Sequence, residues 1–574
     1  MTSGLFRLKD WFILGPMGAI AFALGVVGFL SCGHCGVTSL GDAALDAFGL
    51  IRGTGHYVPG TDPIELVIAQ YLLPAVAIFG GAKLFLVNLR RDMRVALARR
   101  SRDHIIVCGL DDNARQIVES LREAGKTTIA IAPDGESANA LACERIGATV
   151  LAANPQRRNI LELANLKRAE AIVAVTGSDA QNLEIGLLAA EMAKGRSGAP
   201  LKIVAETRSN WLIDNLRAHR TAVLGGEGVE FQVFSIRDNS ARALTRSDAF
   251  ERAFARAGDR PRLAMAGFGD VAMDIVRHAI GSNFALPGVR LSVTVFSRDV
   301  TASRALFKSR WPGLEAEADF DFHASTFAPG DADVWAEVEK TLAENRADAV
   351  AVSLGTDDET LRTALLFRDV LDRLEQSATP VFVRLGEQRK LGAFLRRLEA
   401  YPDLPDRLVP FGDLHELTAP AILLDQEHDR MARAAHEAYL KSVSRTESSP
   451  ANVAWSRLPE RFKASNRAFA DHIPAALRTA GFKLARGSAH SPPLDAATLD
   501  TLARAEHWRW CIEQRSQGWS FGEKRSEVLK HSPLITEWEK LPEEARALNR
   551  EMAARIPEIV QAAGFEIRKA GANP

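Results

Sequence analysis

Charge is missing from two stretches of the chain, and alternates with short apolar runs almost everywhere else. From Trp11 to Gly41 there is no Lys, Arg, Asp or Glu, and Leu66 to Ala82 is equally bare. Phe12 to Leu30 reaches the roughly 20 apolar residues that a bilayer crossing needs. Farther on, mostly apolar runs of three to five residues (Ile105–Val107, Thr127–Ile131, Ala148–Leu151, Ala171–Val175, Lys202–Ala205) alternate with amphipathic stretches. That alternation predicts parallel strands covered by helices on both faces. A second set follows at Leu263–Ala266, Leu291–Phe296 and around Val352, and beyond residue 425 the pattern becomes helical, with Pro and Gly marking the turns. The expected fold class is a multidomain membrane protein with two transmembrane helices, two doubly wound α/β Rossmann-like domains and a C-terminal all-α region. The expected divisions are 1–100, 101–255, 256–425, 426–486 and 487–574.

Charge orients the apolar segments. Arg7 and Lys9 precede the first, and Arg90, Arg91, Arg94, Arg99, Arg100 and Arg102 follow the second, while the loop between them holds only Arg52. Basic residues stay on the cytoplasmic side, so a hairpin in the inner membrane with both termini cytoplasmic is expected. A cleaved signal peptide is the competing reading, but a second apolar segment follows and no Ala-x-Ala site closes the first. Two helices cannot enclose a pore, so conduction would require a homo-oligomer, a tetramer being the natural count. In the loop, Gly41 to Ile51 is reminiscent of a re-entrant pore helix, and Thr54, Gly55 and Tyr57 are the candidate pore residues. Thr54-Gly55-His56-Tyr57 lacks the run of carbonyls that a potassium filter presents, so potassium selectivity is not expected. Cys32-Gly-His-Cys35 has dithiol spacing beside a membrane helix, open between chance, a local disulfide and redox chemistry.

Composition narrows the classes. In 574 residues, 71 basic and 72 acidic residues give a net charge of −1, which excludes a general nucleic-acid binder, since that role needs a surplus of Lys and Arg. Five cysteines are too few and scattered for a disulfide scaffold.

Gly109, Gly147-Ala-Thr-Val150 and Val175-Thr-Gly-Ser-Asp-Ala-Gln-Asn182 make the first α/β region resemble the TrkA-N or RCK family, the NAD-binding-like regulatory domains of potassium channels and transporters. The resemblance implies NAD or another adenine nucleotide as ligand, with Gly109 and Asp134 as candidate contacts. Asp111, however, stands where the fingerprint's second glycine approaches a pyrophosphate, and its carboxylate would repel one. The second copy carries Gly267-Phe-Gly269-Asp-Val-Ala272, a G-x-G-x-x-A run opening a helix, with Asp299 beyond the next strand. Gly267, Gly269, Ala272 and Asp299 are therefore the favoured nucleotide contacts; the competing reading gives the glycines to strand–helix packing alone. Gly177 and Gly355, like Asp179 and Asp357, share an offset of 178, so the two copies are tandem.

The C-terminal region repeats as well. Asp429-Arg-Met-Ala-Arg-Ala-Ala-His436 matches Asp500-Thr-Leu-Ala-Arg-Ala-Glu-His507 at offset 71, and Trp455-Ser-Arg-Leu-Pro-Glu460 matches Trp538-Glu-Lys-Leu-Pro-Glu543 at offset 83. With Gly518-Trp-Ser-Phe-Gly522 and His531-Ser-Pro533, this region resembles the ryanodine-receptor repeat (RyR) domain, 426–486 being the degenerate unit. That resemblance implies a module binding a nucleotide or second messenger. Trp510, Gly518, Trp519, Phe521, Gly522, Lys524 and Arg525 are the candidate contacts; Trp510, Trp519 and Phe521, with Trp538, could stack a base, and Lys524 and Arg525, with Arg509 or Lys530, could meet phosphate. Against this stands the reading that the aromatics form the small core of a helical repeat. No acid or base beside a nicotinamide site emerges, so an oxidoreductase is the least favoured class. The leading expectation is an oligomeric ligand-gated channel-like protein; the alternative is a non-conducting membrane-anchored sensor or defence effector.

Overall fold

A computed structural model of the chain describes residues 11–53, 61–208, 226, 228–386, 389–399, 407–442, 449–487 and 493–570. Thr54, Gly55 and Tyr57 lie outside the described residues. The chain divides into two compact units, residues 1–98 and 99–574.

The first unit is built on α1 (Trp11–Ser31), α2 (Leu40–Leu50) and α3 (Ile64–Arg100). Leu14–Ser31 and Ile64–Ala82 are each long and apolar enough to cross a membrane. The 37 residues of α3 make a rod about 55 Å long at 1.5 Å per residue, running through Pro74 into the arginine tract. Gly28 lets α1 and α3 touch: a Cβ there would lie 2.6 Å from the Leu66 backbone nitrogen. Gly25 plays the same part against Ala47 of α2 and Ala69 of α3, the small-residue contact that packs helices without a large side chain between them. The helix expected near Gly41–Ile51 is α2, its N-terminus capped by Ser39, whose hydroxyl accepts from the Asp42 amide at 3.1 Å. Ile20, Leu45, Tyr71, Ile78 and Phe79 are all more than half exposed, an apolar exterior that water disfavours.

The second unit contains two six-stranded parallel sheets. β1 (Ile105–Cys108), β2 (Thr128–Ala132), β3 (Thr149–Ala152), β4 (Ala171–Ala174), β5 (Leu201–Glu206) and β6 (Val229–Phe234) are ordered β3-β2-β1-β4-β5-β6, and β7 (Arg262–Ala266), β8 (Ser292–Ser297), β9 (Asp319–Ala324), β10 (Ala349–Val352), β11 (Val381–Arg384) and β12 (Leu408–Phe411) are ordered β9-β8-β7-β10-β11-β12. Both are the doubly wound order, with a crevice where the strand order reverses beside β1 and β7. Ile105 stands between Thr128 and Ala171, and Leu263 between Val293 and Ala349. β1, β2, β4 and β10 are buried at every position because helices cover both faces, which is why they read as unbroken apolar runs. β6, with Glu230 and Gln232 breaking its apolar run, and the edge strand β9, whose Asp319, Asp321 and His323 interrupt the pattern, were not legible in the sequence.

The two sheets exchange helices. Ile236–Thr245, following β6, packs Ala241 and Leu244 into the core of the second sheet. Leu414–Leu417 and Pro420–Leu423, following β12, bury Leu414, Leu417 and Leu423 in the core of the first. Ser235 and Asp413, the N-caps of these crossover helices, carry the offset of 178 found in the sequence. Buried bonds fix the exchange: Ser120 Oγ donates to the Thr418 carbonyl at 3.3 Å, and Gln232 Nε2 to that of Leu423 at 2.5 Å.

The C-terminal repeats correct the all-α expectation. Helices dominate, but each repeat ends in a strand, β13 (Phe482–Arg486) and β16 (Phe565–Lys569), with the short β14 (Ser520–Phe521) and β15 (His531–Ser532) between them, and β13 and β16 pair antiparallel about Leu484↔Ile567. The two central residues are equivalent at offset 83, so the repeats face each other across a local two-fold and share one sheet, one core and one buried interface. The sequence shows the repeat but not this pairing, since β13 and β16 alternate too briefly to be told from helix ends.

Candidate functional site

Each Rossmann turn has the backbone the glycines demand. Gly109 and Gly267 adopt positive φ, and a Cβ on either would meet the carbonyl oxygen of Val175 at 2.2 Å or of Ser353 at 2.4 Å. Both glycines are therefore required by close approach of neighbouring strand ends, whatever binds there. In the first copy Asp111 is the N-cap of the helix Asp112–Glu123, accepting from the Ala114 amide at 2.9 Å, and its other oxygen pairs with Arg208. Asp111 thus spends its carboxylate on the chain's own helix terminus and arginine. Asp134 points to solvent and accepts from the Glu136 amide. In the second copy Gly269 is the N-cap without a side chain to bond the helix, and Ala272 is buried. Asp299 caps its own helix, accepting from the Ala302 amide at 2.8 Å. Asp270, one residue past Gly269, is held by Arg237 and by Arg310 Nη1 at 2.9 Å.

These arginines open onto a cavity of about 890 Å³. Arg208 and Asp179 come to it from the first Rossmann-like domain, Arg237 and Arg242 from the crossover helix, and Asp270, Arg277, Arg310 and Trp311 from the second. The first C-terminal repeat supplies Arg461, Arg467 and Asp471, and the second supplies Glu513, Trp519 and Lys530. Eight Arg or Lys face six Asp or Glu, a wall that suits an anion while most of its charges are already paired. The Arg277 and Arg310 guanidiniums lie 5.7 and 5.3 Å from the Trp311 ring centre, while Arg277 pairs with Asp238 and Asp274 and Arg310 with Asp270.

Of the predicted ligand contacts, Trp519 and Lys530 line this cavity. Gly518 takes a positive φ beside Lys530, whose Nζ donates to the Gln517 carbonyl at 2.7 Å. Trp510 instead stacks on His507, and Trp538 is core, flanked by Arg504 and Arg550. Phe521 and Lys524 are exposed away from the cavity, and Gly522 makes room for His531. Arg525 covers the Trp519 ring at 5.1 Å and pairs with Glu527. Arg509 is buried, its guanidinium spent on Glu506 and Glu513 at 2.6 to 2.8 Å. Gly267, Gly269, Ala272 and Asp299 are not among the lining residues, although Asp270 is. Sequence reasoning missed the arginines Arg237, Arg277 and Arg310, which sit on three different helices and share no motif.

Buried charge joins the cavity to the repeats. Arg242, on the crossover helix, bonds Asp429 at 2.7 Å and Asp471 at 2.6 Å, and Arg467 bonds Asp429 at 2.7 Å and pairs with Glu460. The second repeat keeps the same arrangement in Asp500, Arg550 and Glu543, but there Glu543 is exposed and the other two are half-buried. Burial alone would push the Asp429 carboxyl up; Arg467 and Arg242 hold it far below the usual range. Asp471 is likewise held low by Arg242 and Arg246 against its own desolvation. His278, desolvated and beside Arg277, falls to about 4. Glu206, buried at the mouth of the first sheet, rises to about 7 by desolvation, which Arg208 only partly offsets.

Residues 105–223 match the TrkA-N domain family and residues 492–569 the RyR domain family. No curated protein matches the chain significantly. Among solved structures, the chain is similar to GsuK bound to ADP (14% identity, covering 73% of this chain and 98% of that one, TM-score 0.38). It is also similar to the GsuK channel (16%, 73% and 98%, TM-score 0.36) and to the GsuK channel bound to NAD (13%, 74% and 85%, TM-score 0.38). At these scores the likeness adds nothing to the strand orders described above. The chain carries a TrkA-N domain and a RyR domain, with a second Rossmann-like sheet between them.

Proposed function

We propose that this chain is the subunit of an oligomeric, ligand-gated, channel-like membrane protein whose second unit senses a nucleotide or nucleotide-derived messenger. The observation that carries the sensing half is the arginine-lined cavity, to which both Rossmann-like domains and both C-terminal repeats contribute. A ligand there touches four parts of the body at once, so its affinity depends on their arrangement, and differential affinity is what lets a ligand shift an equilibrium. Phosphates would exchange with Asp270 for Arg237 and Arg310, and Trp519 would give a base a flat apolar wall. Asp111 keeps the first Rossmann turn closed to phosphate, so that turn serves as a coupler following α3. The chain binds and signals; it is not an enzyme in this reading. The hairpin, in the inner membrane with both termini cytoplasmic, would be gathered by self-assembly, four copies being the simplest closed pore.

Proteoliposomes holding the purified chain test the channel half: ADP or NAD should raise ion flux, and Arg310→Gln should abolish the response. Absence of flux with every nucleotide, despite binding, would refute conduction. The departure of Thr54-Gly55-His56-Tyr57 from a potassium-filter run favours a second reading, a non-conducting anchored sensor, and that result would select it.

A further inference from the structure

The Cys32-Gly-His-Cys35 motif is not absorbed by nucleotide sensing, and the fold gives it company. α1 ends at Ser31 and α3 begins at Ile64, so Cys32 and Asp62 lie at the two ends of the loop that joins them, next to the close crossing of Gly28 on Leu66. Cys32 is buried in the core of this unit with Leu50, Leu66 and Ala69. His34 Nε2 lies 2.9 Å from Asp62 Oδ1, and Cys32 Sγ lies 3.7 Å from both ring nitrogens of His34. One donor atom from each of Cys32, His34, Cys35 and Asp62 falls within 4.8 Å of all the others. Cys32 and Cys35 are joined as a disulfide, which withholds both sulfurs from a metal.

We propose that the reduced form of this motif is a four-ligand site for a borderline-soft divalent cation of the zinc class, with Cys32, Cys35, His34 and Asp62 as ligands. Two thiolates, an imidazole and a carboxylate are the donor set that Zn2+ accepts in tetrahedral array, with bonds of about 2.0 to 2.3 Å and hence donor separations of about 3.3 to 3.8 Å. Closing from the present spread to that size needs side-chain rotation and separation of the two sulfurs. A dithiol reductant of the thioredoxin type delivers two electrons and two protons to the Cys32–Cys35 disulfide, leaving two thiols and becoming a disulfide itself; binding the cation then releases both thiol protons. Exchange with an oxidised dithiol, which takes back the two electrons and is reduced to two thiols, re-forms the disulfide and releases the cation, so the cation is held in one redox state only. Bound, it ties the end of α1 to the start of α3 beside the Gly28–Leu66 contact and fixes the crossing of the hairpin.

Co2+ is the probe. The full-length chain in detergent is reduced anaerobically with a phosphine, which takes the oxygen of one water as the disulfide takes its hydrogens, and is then freed of phosphine and titrated. Reduced protein should bind one equivalent of Co2+ per chain, with thiolate-to-cobalt charge-transfer absorption and the visible bands of a tetrahedral ion; Zn2+ should displace it. Unreduced protein, identical in fold, should show neither band, and Cys32→Ser/Cys35→Ser should lose the charge-transfer band. Asp62→Asn and His34→Gln should each weaken binding by 10-fold or more while keeping that band. The remaining cysteines, Cys108, Cys143 and Cys511, are fully buried and do not imitate the signal. A reduced chain without thiolate bands overturns the site, as does a spectrum that survives the double serine variant. Unchanged affinity in both Asp62→Asn and His34→Gln overturns the four-ligand assignment.

Discussion

Replacing Arg242 with methionine removes the link between the crossover helix and the first C-terminal repeat. Four hydrogen bonds go: to Asp429 at 2.7 Å, to Asp471 at 2.6 and 3.0 Å, and to the His428 carbonyl at 3.2 Å. The three charged side chains are each less than a tenth exposed, so water does not replace the lost cation. Asp429 keeps Arg467 at 2.7 Å, whereas Asp471 is left with Arg246 at 3.5 Å. Breaking a buried pair by removing one partner costs about 3–5 kcal/mol, and the surviving arginines place this case toward the lower end. Urea unfolding of the full chain in detergent, followed by tryptophan fluorescence, reads the change as a lowered midpoint. Adding Asp471→Asn to Arg242→Met removes the stranded charge, so the double variant should be more stable than additivity predicts, by about 1 kcal/mol or more. A single variant within about 0.5 kcal/mol of wild type, or strictly additive effects, would refute the assignment of this cluster as the coupling between crossover helix and repeat.

Three further outcomes are expected. Gly313→Ala would place a Cβ 2.2 Å from the Arg515 carbonyl oxygen, so docking of the helix Ala496–Ser516 on the second Rossmann-like domain should weaken by about 1–3 kcal/mol; unchanged thermal stability would contradict the close approach. Glu206 has its folded pKa raised to about 7, so its contribution is fully present below the ordinary carboxylate range and is lost as pH rises through 7; Glu206→Gln should flatten the fall in stability between about pH 4.5 and 7, and an unaltered pH profile would refute it. His278, lowered to about 4, acts with the opposite sign: its contribution is present above the ordinary histidine pKa and is lost as pH falls toward 4, and His278→Gln should reduce the acid sensitivity of urea unfolding in that window.

The doubly wound sheets were legible because strands buried on both faces must be continuous apolar runs, and Ile105–Cys108 and Leu263–Ala266 have no other reading beside their glycines. The helix exchange was not, since Ala241 and Leu414 are ordinary apolar residues whose partners lie in the other sheet. The repeat arithmetic at offsets 71 and 83 located equivalent residues correctly, yet gave no sign that Leu484 and Ile567 would meet. For the site, single-module motifs pointed to two places, Gly267 and Trp519. The cavity lies among four parts of the body, so its arginines, scattered from Arg208 to Arg467, form no local pattern. Trp519 and Lys530 were the candidate contacts from the sequence that line it.

The most direct test is equilibrium binding of labelled NAD, competed with ADP, to the full-length chain in detergent, comparing wild type with Arg310→Gln, Trp519→Ala and Gly269→Ala. Nothing lies within 4 Å of a Cβ at Gly269, which has an ordinary φ of −83°, so that variant folds normally and probes only the Rossmann turn. A shared cavity requires saturable binding that weakens 10-fold or more in both Arg310→Gln and Trp519→Ala, residues from different modules, while Gly269→Ala binds nearly as wild type. Wild-type affinity in both cavity variants, with binding lost in Gly269→Ala, would place the ligand in the second Rossmann turn and contradict a shared site.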